Sequence, residues 1–182
     1  MTPSIAALDM RFDIGPLADQ LARNPDVWNR HKWRTDDAKS PHRAVSDIWV
    51  RYADLAELAK LKDPANEPHE SVWYPVVSQI PAAWAIARRL AHRLAGKLGG
   101  VLITRIPPHG EVKPHIDRGW HAAHYEKFAV QVQGNASQAF CFEDGALSAL
   151  PGGVYTFQND RLHWVTNPTD EERITLIVCV RR

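Results

Sequence analysis

Hydrophobic positions along the chain change their period near residue 100. Before that point the spacing is helical. In Ile14–Arg23, Leu17 and Leu21 stand four apart, which stacks them on one helix face, and Asn24-Pro25 ends the run. The clearest helix is Ala82–Leu98, with Ile86, Leu90 and Leu94 as its stripe, Pro81 at its start and Gly99-Gly100 expected to close it. Asp54–Leu61 reads as a turn or two of helix and Asp47–Tyr52 as a strand. Beyond Gly100 the pattern becomes short β-prone runs between turn residues: Val101–Ile106, Glu111–Ile116, Phe128–Val132, Gln138–Phe142, Val154–Phe157 and Ile174–Val180. Glu143-Asp-Gly145 and Pro151-Gly-Gly153 supply turns, the second through glycine's tolerance of positive φ.

Many short antiparallel strands with helices against one side predict a mainly β fold with flanking helices, a barrel-like double sheet of the jelly-roll or cupin kind. No linker or repeat divides the chain, so residues 1–182 are expected to form one domain. Within it, 1–100 would support the barrel and face substrate, and 101–182 would form the barrel core.

Composition narrows the partners. The 22 basic and 21 acidic side chains nearly cancel, which gives no electrostatic reason to favour nucleic acid or a membrane surface. Cys141 and Cys179 sit in apolar runs without Cys-x-x-Cys spacing and read as free thiols in a reducing compartment. The N-terminus lacks the basic-then-apolar order of a secretory signal, and no apolar run approaches the ~18–20 residues of a membrane span, so cytoplasmic residence is expected. Seven tryptophans suit a lined pocket as well as a core.

The sharpest local chemistry is His115-Ile116-Asp117. In a strand, residues two apart share a face, so this imidazole and carboxylate converge on one ion while Ile116 points away. A third ligand is expected from His163, on a strand brought opposite. Two histidines and one carboxylate leave three octahedral positions open, which suits iron(II) holding a bidentate cosubstrate and oxygen. Arg173 follows ten positions after His163, across the turn Thr166–Asp170, and opens the final strand. There Arg173, Thr175, Ile177 and Cys179 share one face, and Ile174, Leu176, Val178 and Val180 the other. An arginine entering an apolar strand needs an anion, and its planar fork matches a carboxylate, to which Thr175 would add a hydroxyl.

Together, His115-x-Asp117, His163 and Arg173 resemble the motif of the iron(II)/2-oxoglutarate-dependent oxygenases. The stretch His163-Trp-Val-Thr-Asn-Pro-Thr-Asp-Glu-Glu-Arg173-Ile-Thr-Leu is similar to the aspartyl/asparaginyl β-hydroxylase branch in its Val-x-Asn turn and its arginine before an apolar strand. The resemblance covers roughly Val101–Arg182. It implies a double-stranded β-helix fold, that His115, Asp117 and His163 are catalytic metal ligands for Fe(II), and that Arg173, with Thr175, holds the distal carboxylate of 2-oxoglutarate. It also implies hydroxylation of a peptide or small molecule, using O2 and releasing succinate and CO2. Animal enzymes of that branch lack the metal carboxylate, so Asp117 is a departure and the substrate does not transfer with the motif.

Other residues enter as secondary candidates. Tyr125, Phe128, Val130 and Gln131 are candidates for the cosubstrate pocket, Trp120 for its cover, and Arg43, Trp49 and Arg51 for a substrate-facing strand. His109, His121 and His124 read as loop or lid histidines. Without a dicarboxylate role for Arg173, the same ligands would fit a cupin-like metal enzyme or a binding module that does not use 2-oxoglutarate.

Overall fold

The computed structural model describes residues 3–63 and 66–182. Strand β1 (Ile5–Arg11) leads into helix α1 (Gly15–Arg23), followed by β2 (Ser46–Ala53), the single-turn α2 (Leu55–Leu58), β3 (Ser71–Trp73) and α3 (Pro81–Arg93). Then come β4 (Lys97–Ile106), β5 (Glu111–His115), the short α4 (Trp120–His124), β6 (Glu126–Gln133) and β7 (Ala139–Phe142). The chain ends with β8 (Gly145–Leu147), β9 (Gly153–Phe157), β10 (His163–Thr166) and β11 (Arg173–Arg181).

The strands form a seven-stranded sheet, β1-β9-β6-β11-β4-β2-β3, and a four-stranded sheet, β5-β10-β7-β8, each antiparallel throughout. Alternation along β11 explains why two layers of core are needed. Ile174, Leu176, Val178 and Val180 join Leu17, Leu21, Ile86 and Leu90 in a core between the large sheet and helices α1 and α3. On the opposite face, Arg173, Thr175 and Ile177 line a cavity between the two sheets. The apolar wall of that second layer includes Ile106, Val112, Phe140, Tyr155, Phe157 and Val165. Two facing sheets, the larger covered by helices, make this a double-stranded β-helix. Among the described residues no helix is long and apolar enough to cross a membrane.

Three features depart from the sequence expectation. The first hundred residues contribute more sheet than their periodicity predicts, because β1, β2 and β3 extend the large sheet. The main helix ends at Arg93, not Leu98: Ala95 turns left-handed at φ 51°, and Gly96 N donates to Ala91 O. Gly99 and Gly100 do not cap that helix but lie within β4. There a Cβ would come within 2.6 Å of the Tyr125 ring at Gly99 and 3.0 Å of the His121 ring at Gly100, so the glycines clear space for aromatic side chains. The Pro151-Gly-Gly153 turn is as expected, with Gly152 at φ 84°. Cys141 and Cys179 are free thiols, the latter buried.

Leu176 is fully buried at the centre of β11, where it ties the sheet to the helices. Leu176→Ala is expected to cost about 2–5 kcal/mol of unfolding free energy, measured by urea denaturation, because it removes buried methyls and leaves a cavity.

Candidate metal centre

The pairing of β5 with β10 sets His163 opposite His115, and their rings stand 4.3 Å apart between centroids. Asp117 lies just past the end of β5, where the alternation persists: Ile116 is exposed, while Asp117 Oδ1 sits 3.5 Å from His115 Nε2. The Asp117 amide donates to the Asn159 carbonyl (2.9 Å), and the Asn159 side chain donates to Ala122 O (2.9 Å). The turn before His163 thereby also fixes the carboxylate arm.

Both histidines are prepared in the same way. His115 Nδ1 lies 2.8 Å from Lys113 O, and His163 Nδ1 lies 2.8 Å from Arg161 O. A carbonyl only accepts, so each Nδ1 carries the proton and each Nε2 keeps its lone pair, as ligating histidines require. Burial lowers the pKa of His163, which favours the neutral form.

Two residues here were not singled out in the sequence. His42, on the segment between α1 and β2, packs edge-on to His115 at 4.5 Å, and donor atoms of His42, His115 and Asp117 lie within 4.8 Å of one another. Unlike His115 and His163, His42 has no backbone carbonyl on its ring among the described residues: Arg34 Nη1 lies 3.4 Å from Nε2, and Nδ1 is buried without a partner among them. The donor preparation therefore favours His163 over His42 as the second imidazole ligand. Lys127, on β6, donates from Nζ to Asp117 Oδ2. Burial would raise the Asp117 pKa, but the charge of Lys127 and its hydrogen bond outweigh it and hold the acid well below the usual range. With Oδ2 engaged, Oδ1 faces His115.

At the far end of the cavity the Arg173 guanidinium is buried, donating to Thr175 Oγ1 (2.8 Å) and Tyr155 Oη (3.1 Å). Neighbouring acids do not neutralise it: Glu172 approaches Arg105 and Glu171 accepts from Asn135. Asn167 delivers the arginine there. Buried in the β10–β11 turn, it donates to Pro107 O (2.8 Å) and Glu171 O (2.7 Å) and accepts from Gln138 Nε2 (2.9 Å).

Of the secondary candidates, Phe128 and Val130 face the helix-side core, and Gln131 reaches Thr175 at 3.4 Å. Tyr125 packs over Gly99 and against His121 and His124; the tyrosine at the arginine is Tyr155. His109 contacts Asp170 in an exposed loop, and Trp120 stacks on His124 in α4. Arg51 packs over Trp73, whereas Trp49 lines a chamber on the other side of Asp117.

His121 also lines that chamber; burial, aided by the charge of Lys127, pushes its pKa down to about 3. Unfolded histidine titrates near 6.5. Between roughly pH 6.5 and 3 the unfolded chain thus binds a proton that the native chain refuses, and stability falls as pH falls through that window. Urea unfolding of metal-free protein across the window is expected to show this slope, shallower by up to about one proton in His121→Gln.

Neither a family model nor a curated protein matches the sequence. Solved structures share its architecture. A prolyl hydroxylase from Trichoplax adhaerens, in complex with a hypoxia inducible factor oxygen degradation domain peptide fragment, superposes with a TM-score of 0.60 at 10% identity, covering 99% of this chain and 84% of that one. A Pseudomonas putida prolyl-4-hydroxylase gives 0.58 at 13% identity, covering 100% and 94%. The viral collagen prolyl hydroxylase of Paramecium bursaria Chlorella virus-1, in its 2OG complex, gives 0.56 at 11% identity, covering 98% and 96%. At these identities the likeness is one of fold: the chain has the double-stranded β-helix on which these hydroxylases are built.

Proposed function

We propose that this chain is an iron(II)- and 2-oxoglutarate-dependent oxygenase, with the metal on His115, Asp117 and His163 and the distal carboxylate of the cosubstrate on Arg173. One observation carries the reading: a buried guanidinium with no acid beside it among the described residues stands at one end of a cavity whose other end holds two prepared imidazoles and a carboxylate. Leaving such a charge unpaired is costly, and a dicarboxylate that bridges arginine and metal satisfies both ends.

Iron with 2-oxoglutarate and O2 supplies oxidative decarboxylation to succinate and CO2 coupled to hydroxylation of a carbon. The chain's own residues supply position. Thr175 and Tyr155 hold the guanidinium fork in place, and each adds a hydroxyl beside the same carboxylate. Phe140, Phe157, Ile106 and Val112 close the cavity against water, which strengthens every polar contact inside it. Lys127 occupies one carboxylate oxygen of Asp117 and leaves the other to the metal. The sequence resemblance supports an aspartyl or asparaginyl side chain, or a related small molecule, as the hydroxylated group. The peptide named in the Trichoplax complex supports a peptide-like substrate on this fold.

His42 favours a second reading, a metal centre of His42, His115 and Asp117 that does not use 2-oxoglutarate. The Arg34 contact at its Nε2 weighs against it.

The test is metal content and 2-oxoglutarate affinity of purified protein, measured under anaerobic iron(II). His115→Ala and Asp117→Ala are expected to abolish stoichiometric metal and succinate formation. Arg173→Ala is expected to keep the metal and weaken 2-oxoglutarate binding by about 30-fold or more, the loss typical of removing one side of a buried charge pair. Wild-type protein that binds iron but not 2-oxoglutarate would sink the proposal in favour of the second reading.

A further inference from the structure

Lys127 puts a full charge where orientation alone calls for a hydrogen bond. It stands in β6 between β9 and β11, opposite Phe157 and Cys179, and its side chain is only 18% exposed. Strand alternation sends Phe128 and Val130 to the helix-side core and Lys127 to the cavity that ends at Arg173. The Asp117 main chain is already held there by the bond from its amide to Asn159 O (2.9 Å). A neutral donor on Oδ2 would complete the orientation of the carboxylate. The protein instead brings an ammonium, and among the described residues Asp117 is the acid it pairs with.

The charge acts on the whole centre. Arg34 is the other cation close by, but Asp47 binds it at two points (2.7 and 2.9 Å), so the uncancelled positive field at Asp117 comes from Lys127. That field adds to burial in lowering the pKa values of His42, His121 and His163. Once Asp117 shares its negative charge with a metal, the ammonium faces a centre of its own sign. Repulsion grows with the product of the charges and is weakly screened away from water, so an ion of charge three is penalised more than an ion of charge two.

We infer that Lys127 is a positioning residue that tunes the metal through Asp117: its fixed charge keeps the centre as iron(II) and opposes oxidation to iron(III). Groups that hold a metal's ligands set its affinity and potential in this way. The loss opposed here moves one electron from iron(II) to dioxygen, giving iron(III) and superoxide, and breaks no bond to the protein. The inference rests on the oxygenase reading for the identity of the metal and for Asp117 as its ligand.

The experiment loads full-length protein anaerobically with one equivalent of iron(II) and measures the midpoint potential by spectroelectrochemistry. Three variants are compared with wild type: Lys127→Met removes the charge at similar length, Lys127→Gln keeps a neutral N–H donor, and Lys127→Arg keeps the charge. In the Met and Gln variants the preference for iron(II) over iron(III) is expected to fall tenfold or more, a drop of about 59 mV or more for one electron. Lys127→Arg is expected to stay near wild type. A wild-type potential in both neutral variants, a drop confined to Lys127→Met, or an equal drop in Lys127→Arg would overturn the inference. Loss of iron from both neutral variants would overturn it too, because removing a like charge does not weaken binding of the divalent ion. Failure of the wild-type protein to take up iron would instead overturn the oxygenase reading.

Discussion

A guanidinium shut away from water, donating to the hydroxyls of Thr175 and Tyr155, sets the terms for the rest of this molecule. Taking Arg173 out of solvent costs several kcal/mol unless an anion meets it, and none of the described residues brings one. The surrounding structure is what keeps it there. Asn167 locks the turn that delivers it, the alternation of β11 turns it inward, and packing of Leu176 and Val178 on the helices prevents the strand from slipping one residue to release it. A one-residue slip would exchange the cavity face for the core face along the whole strand.

The mouth of the barrel is held by a different device. Arg34 binds Asp47 on β2 at two points and also reaches Thr104 on β4, so the irregular segment carrying His42 is anchored to the large sheet by a buried ionic network. Such a network contributes more to a defined geometry than to net stability, since desolvation offsets much of its attraction. Here the geometry it defines is the distance between His42 and the two residues of the His-x-Asp pair.

The parts of the site that were legible in the sequence are those governed by local rules. His115 and Asp117 follow from the two-residue period of a strand, and Arg173 from the oddity of a charge opening an apolar run. His163 needed only one antiparallel neighbour, which β5 supplies. His42, Lys127 and Tyr155 were not legible as site residues, because Lys127 and Tyr155 reach the cavity through sheet order, and His42 through the Arg34–Asp47 anchor of an irregular segment, and none through spacing. Lys127 looks like an ordinary edge-of-strand lysine until β6 is placed beside β11, and Tyr155 becomes distinguishable from Tyr125 only when β9 is set next to β6. The misplaced helix end has a similar origin: Gly99-Gly100 carries a stop signal, but tertiary contact with Tyr125 and His121 gives that pair another use, and Ala95 makes the turn instead.

The ion pair between Lys127 and Asp117 bears on the order of assembly. In small domains built around a structural metal, ligand groups repel or remain unsatisfied until the ion arrives, and folding waits for it. Here the carboxylate is already neutralised by a residue of the same barrel, and the imidazoles are already hydrogen-bonded to their own strands. The barrel can therefore complete itself without a metal, and under the proposed function iron would join a protein that is already folded.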